Sequence, residues 1–237
     1  MNVAAIEPLA LSRHELFSDA ECRDLSARVV ALRKHWARRG YNGFFSLGTA
    51  AYLDAPESFS AYLAAASETN VILRNNFDDA LETVRAFFEE MLGQPAQIAE
   101  EVAVPGFHIF EFDGSARQND LPATRAHFDL QWVDAFPRSD LQGTVSFTVL
   151  VDQPSGGAAM QVWPLRFSQT APPTVTVREY AQSHTSRRLA YDGGGMIIHD
   201  GHVLHAIGTS EDSKPRGRRI TLQGHGALID GTWVLYW

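Results

Sequence analysis

The first part of the chain places apolar residues with a helical period. Ser18 followed by Glu21 has the spacing of a capping box, which marks a helix start. Apolar side chains then recur at three- and four-residue steps up to Gly40, namely Cys22, Leu25, Val29, Leu32 and Trp36. This pattern predicts a first helix between Ser18 and Gly40.

Two further helices are predicted before residue 95. The second begins near Asp54, Pro56 and Glu57, and its apolar face carries Phe59, Leu63 and Ala66. The third has the longest stripe, formed by Phe77, Leu81, Val84, Phe88 and Met91. Gly93 and Pro95 end it, because neither residue continues a helix well. We interpret these aromatic and aliphatic stripes as core packing.

From about Gln97 the pattern changes to short β-rich segments bounded by turn residues. The predicted strands are Gly106–Asp113, Ala126–Val133, Gly143–Val151, Ala158–Pro164, Thr174–Glu179, Gly195–His199 and Arg219–His225. Such a series is typical of a sandwich or jelly roll. We therefore expect one α+β domain over residues 1–237, with a mainly helical N-terminal layer (1–95) packed on a jelly-roll core (96–237).

Composition narrows the class of protein. The chain has 237 residues and a formal net charge of −8, from 20 Lys and Arg against 28 Asp and Glu, which disfavours a nucleic-acid partner. A single cysteine, Cys22, excludes an internal disulfide framework and a CxxC zinc site. The sequence shows neither an 18-residue apolar run nor a signal-peptide pattern over Met1 to Arg13. We expect a cytoplasmic protein with no membrane partner.

The candidate chemistry centres on His127, Asp129 and His205. Residues two apart on a strand share a face, so a strand would present the imidazole of His127 beside the carboxylate of Asp129. Two histidines and one carboxylate on one side of Fe(II) leave three positions open. A bidentate 2-oxo acid and O2 can fill them, whereas a structural zinc site is closed by protein ligands.

Two other histidines compete with His205 for the third ligand position. His199 lies at the end of a predicted strand, and His202 follows the turn at Asp200 and Gly201. The residues alone leave this choice open.

An arginine further along the chain fits a dicarboxylic co-substrate. Arg219 opens a predicted strand, and its planar, permanently charged fork suits the distal carboxylate of 2-oxoglutarate. Thr221 would share its face and add a hydroxyl group, whereas Arg218 should face the other way.

Taken together, these motifs resemble the Fe(II)/2-oxoglutarate-dependent dioxygenases, especially the prolyl-hydroxylase-like branch. The resemblance covers His127 to His225 and consists of His127–Asp129, the turn Pro154 to Gly157, Trp163–Pro164, the Gly195 strand, His205–Ala206 and Gly217 to Thr221. It implies a double-stranded β-helix (cupin-like) core and conversion of 2-oxoglutarate and O2 to succinate and CO2. It also assigns the third ligand to His205, and because Asp129 is present it favours hydroxylation over halogenation.

Three further residues are candidates for substrate contact. Gln131 continues the face of His127 and Asp129, His108 lies on the Gly106–Asp113 strand, and Trp163 lies near the end of the Ala158–Pro164 strand. Core or hydrogen-bonding roles are the alternatives for His108 and Trp163. The segment Ser115–Ala123 is the predicted substrate lid.

We expect hydroxylation of an unactivated C–H bond in a small molecule, such as an amino acid or a natural-product intermediate. Two alternatives stay open: a cupin-like metalloenzyme that does not use 2-oxoglutarate, and a non-catalytic jelly-roll binding module.

Overall fold

The computed structural model describes most of the chain. The described residues are 11–40, 43–115, 126–136, 141–167, 176–208 and 210–237. The helices are α1 (Asp19–Ala31), α2 (Ala51–Asp54), α3 (Phe59–Leu92), α4 (Trp132–Ala135) and α5 (Val177–Ser183). The strands are β1 (Ser12–Glu15), β2 (Ala37–Arg38), β3 (Phe44–Leu47), β4 (Ala96–Ile98), β5 (Gly106–Asp113), β6 (Gly143–Asp152), β7 (Ala159–Arg166), β8 (Arg187–Ala190), β9 (Gly195–His199), β10 (Val203–Gly208), β11 (Arg216–Ile229) and β12 (Thr232–Tyr236).

The first helix begins as its capping box predicts. The side chain of Ser18 accepts the backbone N–H of Glu21, and the carboxylate of Glu21 accepts the N–H of Ser18 at 2.7 Å. The helix ends at Ala31 and is followed by a single 3-10 turn, so it stops well before Gly40. None of the helices within the described ranges is both long enough and apolar enough to cross a membrane.

The second and third predicted helices form one long helix, α3. Its N-cap is Ser58, whose side chain accepts the N–H of Ala61, and it ends at Gly93 with a left-handed φ of 64°. A kink lies at Phe77 (φ −141°, ψ 20°), where the two apolar stripes meet. The Phe77 ring packs 4.6 Å from the ring of Phe107 on β5, which ties the kink to the sheet.

Two sheets face each other, as in a double-stranded β-helix. The larger one has the order β1-β9-β6-β11-β5-β3-β2, with β12 paired to β11 and β4 paired to β12. The smaller one has the order β10-β7-β8. The predicted α+β, jelly-roll fold class is therefore confirmed. Strands β1, β2 and β3, which belong to the segment predicted as mainly helical, join the larger sheet.

The central strand β11 separates the core from the site. Ile220 and Leu222 belong to the main hydrophobic cluster, together with Leu25 of α1 and Phe88 of α3. Because side chains alternate along a strand, the odd-numbered residues from Arg219 to His225 face the space between the sheets. The helical layer thus covers the outer face of the larger sheet and leaves the inner face free for chemistry.

Two predicted strands are wrong. In Ala126–Val133 only His127 forms a bridge, and the segment continues into α4. In Thr174–Glu179 the first two residues lie outside the described ranges, and Thr176 caps α5. Its side chain accepts the N–H of Glu179 and the Glu179 carboxylate accepts its N–H at 2.9 Å, so a capping box outweighs the β-branched composition.

A glycine in the turn before β9 has no room for a side chain. Gly194 has a φ of +72°, and a Cβ there would lie 1.8 Å from the carbonyl oxygen of Phe17. That backbone cannot move away, because the N–H groups of Leu16 and Phe17 both donate to the Gly194 carbonyl. We expect Gly194→Ala to lower the free energy of unfolding by about 2–4 kcal/mol, measured by urea denaturation. The matched control Gly193→Ala, whose Cβ would meet its nearest atom at 3.5 Å, should change it little. Equal stabilities for the two variants would contradict the prediction.

Candidate metal centre

A cavity of about 490 Å³ opens between the two sheets. Its wall includes His127, Asp129 and His205 together with Arg219 from β11. Aromatic side chains form much of the remaining surface: Phe44, Tyr52, Phe110, Phe128 and Tyr191. A mostly apolar cleft with a few convergent polar groups is the usual form of a small-molecule site.

Backbone pairing brings His127 and His205 together. The two residues form an antiparallel bridge, in which the N–H of His127 donates to the His205 carbonyl at 2.9 Å and the reverse bond measures 3.0 Å. Directly paired residues of antiparallel strands project to the same face. Their rings accordingly lie with centroids 4.5 Å apart.

Asp129 reaches the two imidazoles without a regular strand. Its N–H donates to the carbonyl of Gly201 at 2.8 Å, and Gly201 lies outside strand β10, which begins at Val203. The His127 Nε2 lies 3.5 Å from Asp129 Oδ1, and the His205 Nε2 lies 3.5 Å from Oδ2. One potential ligand atom from each of the three residues lies within 4.8 Å of the others. The arrangement can surround a single cation.

The protonation states suit metal binding. The Nδ1 of His205 lies 2.9 Å from the Val203 carbonyl, which can only accept, so Nδ1 carries the proton and Nε2 has the free lone pair. Burial lowers the pKa of His205 to about 3, so the ring is neutral at pH 7. Burial alone would raise the pKa of Asp129, but the surrounding imidazoles, His205 foremost, lower it overall, and the carboxylate is ionised.

The two competing histidines have other partners. His199 is buried and its Nδ1 accepts the N–H of Gly201 at 3.0 Å; burial lowers its pKa to about 4. The ring of His202 lies beside Phe167, with centroids 5.9 Å apart. Across the described residues, the one group of three suited to a metal consists of His127, Asp129 and His205.

Arg219 is buried in the cavity wall. Its guanidinium group lies 5.5 Å from the Tyr191 ring centroid and 6.0 Å from that of Phe110. Burial lowers its pKa, while the nearby Tyr191 acts in the opposite direction. Its Nε and Nη1 have no hydrogen-bond partner among the described residues. Arg218 faces the other way, with its Nε 3.8 Å from Asp152.

The surroundings of Arg219 differ from the predicted ones at two residues, Thr221 and Tyr191. Thr221 is fully buried, and its hydroxyl accepts the side-chain N–H of Gln223 at 3.2 Å. Tyr191, which the sequence did not single out, lies beside Arg219 in the cavity wall, with its ring centroid 5.5 Å from the guanidinium carbon. Its position before the turn that starts at Asp192 gives no sequence signal of this role. Tyr191 lines the cavity beside the arginine, and Thr221 is not among the residues that line it.

Gln131 and His108 line the cavity, as expected. The Gln131 Nε2 donates to Asp129 Oδ1 at 3.1 Å, which leaves its buried Oε1 without a partner in the described part of the chain. The Nε2 of His108 lies 2.7 Å from the Tyr52 hydroxyl. Burial, followed by the charge of Arg219, holds the pKa of His108 well below its usual range.

Trp163 is not brought to the cavity. It packs in a separate cluster with Leu204 and Ala206, and its indole N–H donates to the carbonyls of Ala181 and His184, both at 3.1 Å. The core role is thus the one that the structure supports. Of the predicted lid Ser115–Ala123, residues 116–123 lie outside the described ranges.

Comparisons with known proteins show which solved structures share this fold. No family model matches the sequence, and no curated protein matches it. An N-substituted L-amino acid dioxygenase of Burkholderia ambifaria AMMD, solved in complex with α-ketoglutarate (2-oxoglutarate), is 15% identical; the match covers 95% of this chain and 85% of that one, with a TM-score of 0.56. AviO1 of Streptomyces viridochromogenes Tue57 is 11% identical, covering 96% and 93%, with a TM-score of 0.51. At such identities the similarity shows the fold, which is the one that the sequence resemblance implies.

Proposed function

We propose that this protein is an Fe(II)- and 2-oxoglutarate-dependent dioxygenase that hydroxylates an unactivated C–H bond of a small molecule. The observation that carries the proposal is the convergence of His127, Asp129 and His205 in one cavity with a buried arginine, Arg219. Either element alone is compatible with many functions. Together they provide a metal centre and a carboxylate-binding site within the same enclosed space.

The three-residue set fits Fe(II). The Nε2 atoms of the two histidines and a carboxylate oxygen of Asp129 would hold the metal on one side, leaving the cavity side for other ligands. The neutral imidazole of His205 and the ionised carboxylate are the forms that bind cations. Bound there, Fe(II) with 2-oxoglutarate and O2 supplies oxidising power as 2-oxoglutarate is converted to succinate and CO2.

Arg219 and Tyr191 fit the distal carboxylate of 2-oxoglutarate. The Nε and Nη1 of Arg219 are buried donors without a partner in the part of the chain that the structure describes, and leaving such donors unsatisfied is costly. A carboxylate would satisfy the guanidinium group and accept from the Tyr191 hydroxyl as well. A metalloenzyme without 2-oxoglutarate has no use for this buried cation, which favours the dioxygenase over the cupin-like alternative.

The remaining wall suits a small, partly apolar substrate. The rings of Phe44 and Phe110 stack with centroids 4.5 Å apart, and the Tyr52–His108 pair adds polar atoms near them. Gln131, which donates to Asp129, adds a polar side chain to the same wall. The fold shared with an N-substituted amino acid dioxygenase makes such amino acids the first compounds to screen.

The test is an anaerobic titration with Fe(II) and 2-oxoglutarate, followed by visible absorbance. We expect a charge-transfer band that requires both additions, and succinate formation once O2 is admitted. Fe(II) binding without the band or succinate would favour the cupin-like enzyme. Failure to bind Fe(II) would favour a non-catalytic binding module.

A further inference from the structure

Two adjacent buried histidines, His205 and His199, have opposite tautomers. Their ring centroids lie 4.5 Å apart. His205 donates from Nδ1 to a carbonyl, so its Nε2 is a bare lone pair. His199 instead accepts the Gly201 N–H at its Nδ1, and a backbone N–H can only donate. The proton of the neutral His199 ring is therefore on Nε2.

That Nε2–H group faces the metal-binding carboxylate. The His199 Nε2 lies 3.7 Å from Asp129 Oδ2, the same oxygen that lies 3.5 Å from His205 Nε2. This distance is slightly longer than a hydrogen bond but within electrostatic range in a buried site. Because its Nε2 carries a proton and its Nδ1 is occupied, His199 has no lone pair to offer a metal. Its chemistry towards Asp129 is that of a donor.

The backbone fixes His199 in this orientation. Gly201 donates its N–H to His199 Nδ1, and its carbonyl accepts the N–H of Asp129 at 2.8 Å. Gly201 has a φ of +82°, and a Cβ there would lie 2.6 Å from the Asp129 carbonyl oxygen, so the close approach requires glycine. His199 is also paired in register with Ser146 on β6. The ring and the carboxylate are thus held by one turn.

We propose that His199 is a positioning residue, whose Nε2–H lies close to Asp129 Oδ2 and holds the carboxylate electrostatically in the orientation that binds the metal. This inference rests on the proposed function. Gln131 donates to the other oxygen, Oδ1, at 3.1 Å. Each carboxylate oxygen then faces an N–H group, one at hydrogen-bond distance and one at electrostatic range, and both oppose rotation of the carboxylate about its Cβ–Cγ bond. Donors around metal ligands typically contribute 10–100-fold to metal affinity.

The experiment compares two variants of His199 by anaerobic Fe(II) titration of the full chain without 2-oxoglutarate. His199→Met introduces an unbranched apolar side chain of similar length that has no donor, and we expect Fe(II) affinity to fall by about 10-fold to 100-fold. His199→Gln places an amide N–H near the former Nε2, and we expect affinity within about threefold of native. His202→Met, whose ring lies outside the cavity, is the matched control and should bind as the native chain does.

The outcomes separate this inference from the proposed function. Equal affinity of His199→Met and the native chain would overturn it, as would equally large losses in both His199 variants, which indicate that ring shape alone matters. If His199→Met does not fold, as judged by circular dichroism, His199→Gln decides: native-like affinity supports the inference and a tenfold loss overturns it. If the native chain does not bind Fe(II), the proposed function itself is overturned. If the native chain binds Fe(II) and the His199 variants bind it equally well, only the role of His199 is overturned.

Discussion

Asp129→Asn is expected to eliminate metal-dependent activity while leaving the fold intact. The variant is nearly isosteric, so the contacts of the side chain with its neighbours are kept, but the negative charge is lost. Two neutral imidazoles and an amide are a far weaker set for Fe(II) than two imidazoles and a carboxylate. Since residues that only support a ligand contribute 10–100-fold, loss of the ligand charge should lower Fe(II) affinity by more than about 100-fold. Anaerobic titration measures the affinity, and succinate formation measures the activity.

The control for this substitution is Asp152→Asn. Asp152 is a partly buried carboxylate on β6 that accepts the Ser26 hydroxyl at 3.0 Å, on the side of the sheet away from the cavity. We expect it to bind Fe(II) as the native chain does. Native-like Fe(II) affinity in Asp129→Asn would contradict the assignment of the metal centre, and circular dichroism of both variants excludes misfolding as the cause.

Strands buried in the centre of the fold were predictable from the sequence. Gly106–Asp113 and Gly195–His199 have the predicted bounds as β5 and β9, because dense apolar runs there end at turn residues. Ser12–Glu15 (β1) was missed, since a short edge strand of polar residues has no period of its own and is defined by pairing with β9. The two predicted helices that carry Phe59 and Phe88 are continuous in α3, and the non-helical φ and ψ of Phe77 mark the kink between them.

The site residues were predictable where the chemistry allows only a few residue types. They were less predictable where the folded geometry decides which side chains meet. The grouping of His127, Asp129 and His205 is found as proposed, although a bridge and a turn produce it instead of a strand. Trp163 was misplaced as a substrate residue because strand parity alone does not tell which sheet face meets the cavity. Tyr191 was missed because its contact with Arg219 joins segments that are distant in the sequence.

Arg219→Met is expected to lose 2-oxoglutarate binding without losing the metal site. Removing one partner of a buried, hydrogen-bonded charge pair costs 2–5 kcal/mol, which is a loss of roughly 30-fold to 4,000-fold in affinity. Methionine retains the apolar contacts with Phe110 and Tyr191 but cannot donate to a carboxylate. The measurements are the Fe(II) affinity alone, which should stay within about threefold, and the 2-oxoglutarate concentration that half-saturates the charge-transfer band.

The neighbouring residue provides the control, and stability provides a second readout. Arg218→Met changes the same residue type on the opposite face of β11, near Asp152, and should bind 2-oxoglutarate as the native chain does. Because Arg219 is 4% exposed and has two unpartnered nitrogens among the described residues, its replacement should leave the unliganded chain as stable or more so. In the native chain, Fe(II) with 2-oxoglutarate should raise the melting temperature more than Fe(II) alone. In Arg219→Met, the two additions should raise it equally. An undiminished 2-oxoglutarate contribution would mean that another group binds the dicarboxylate.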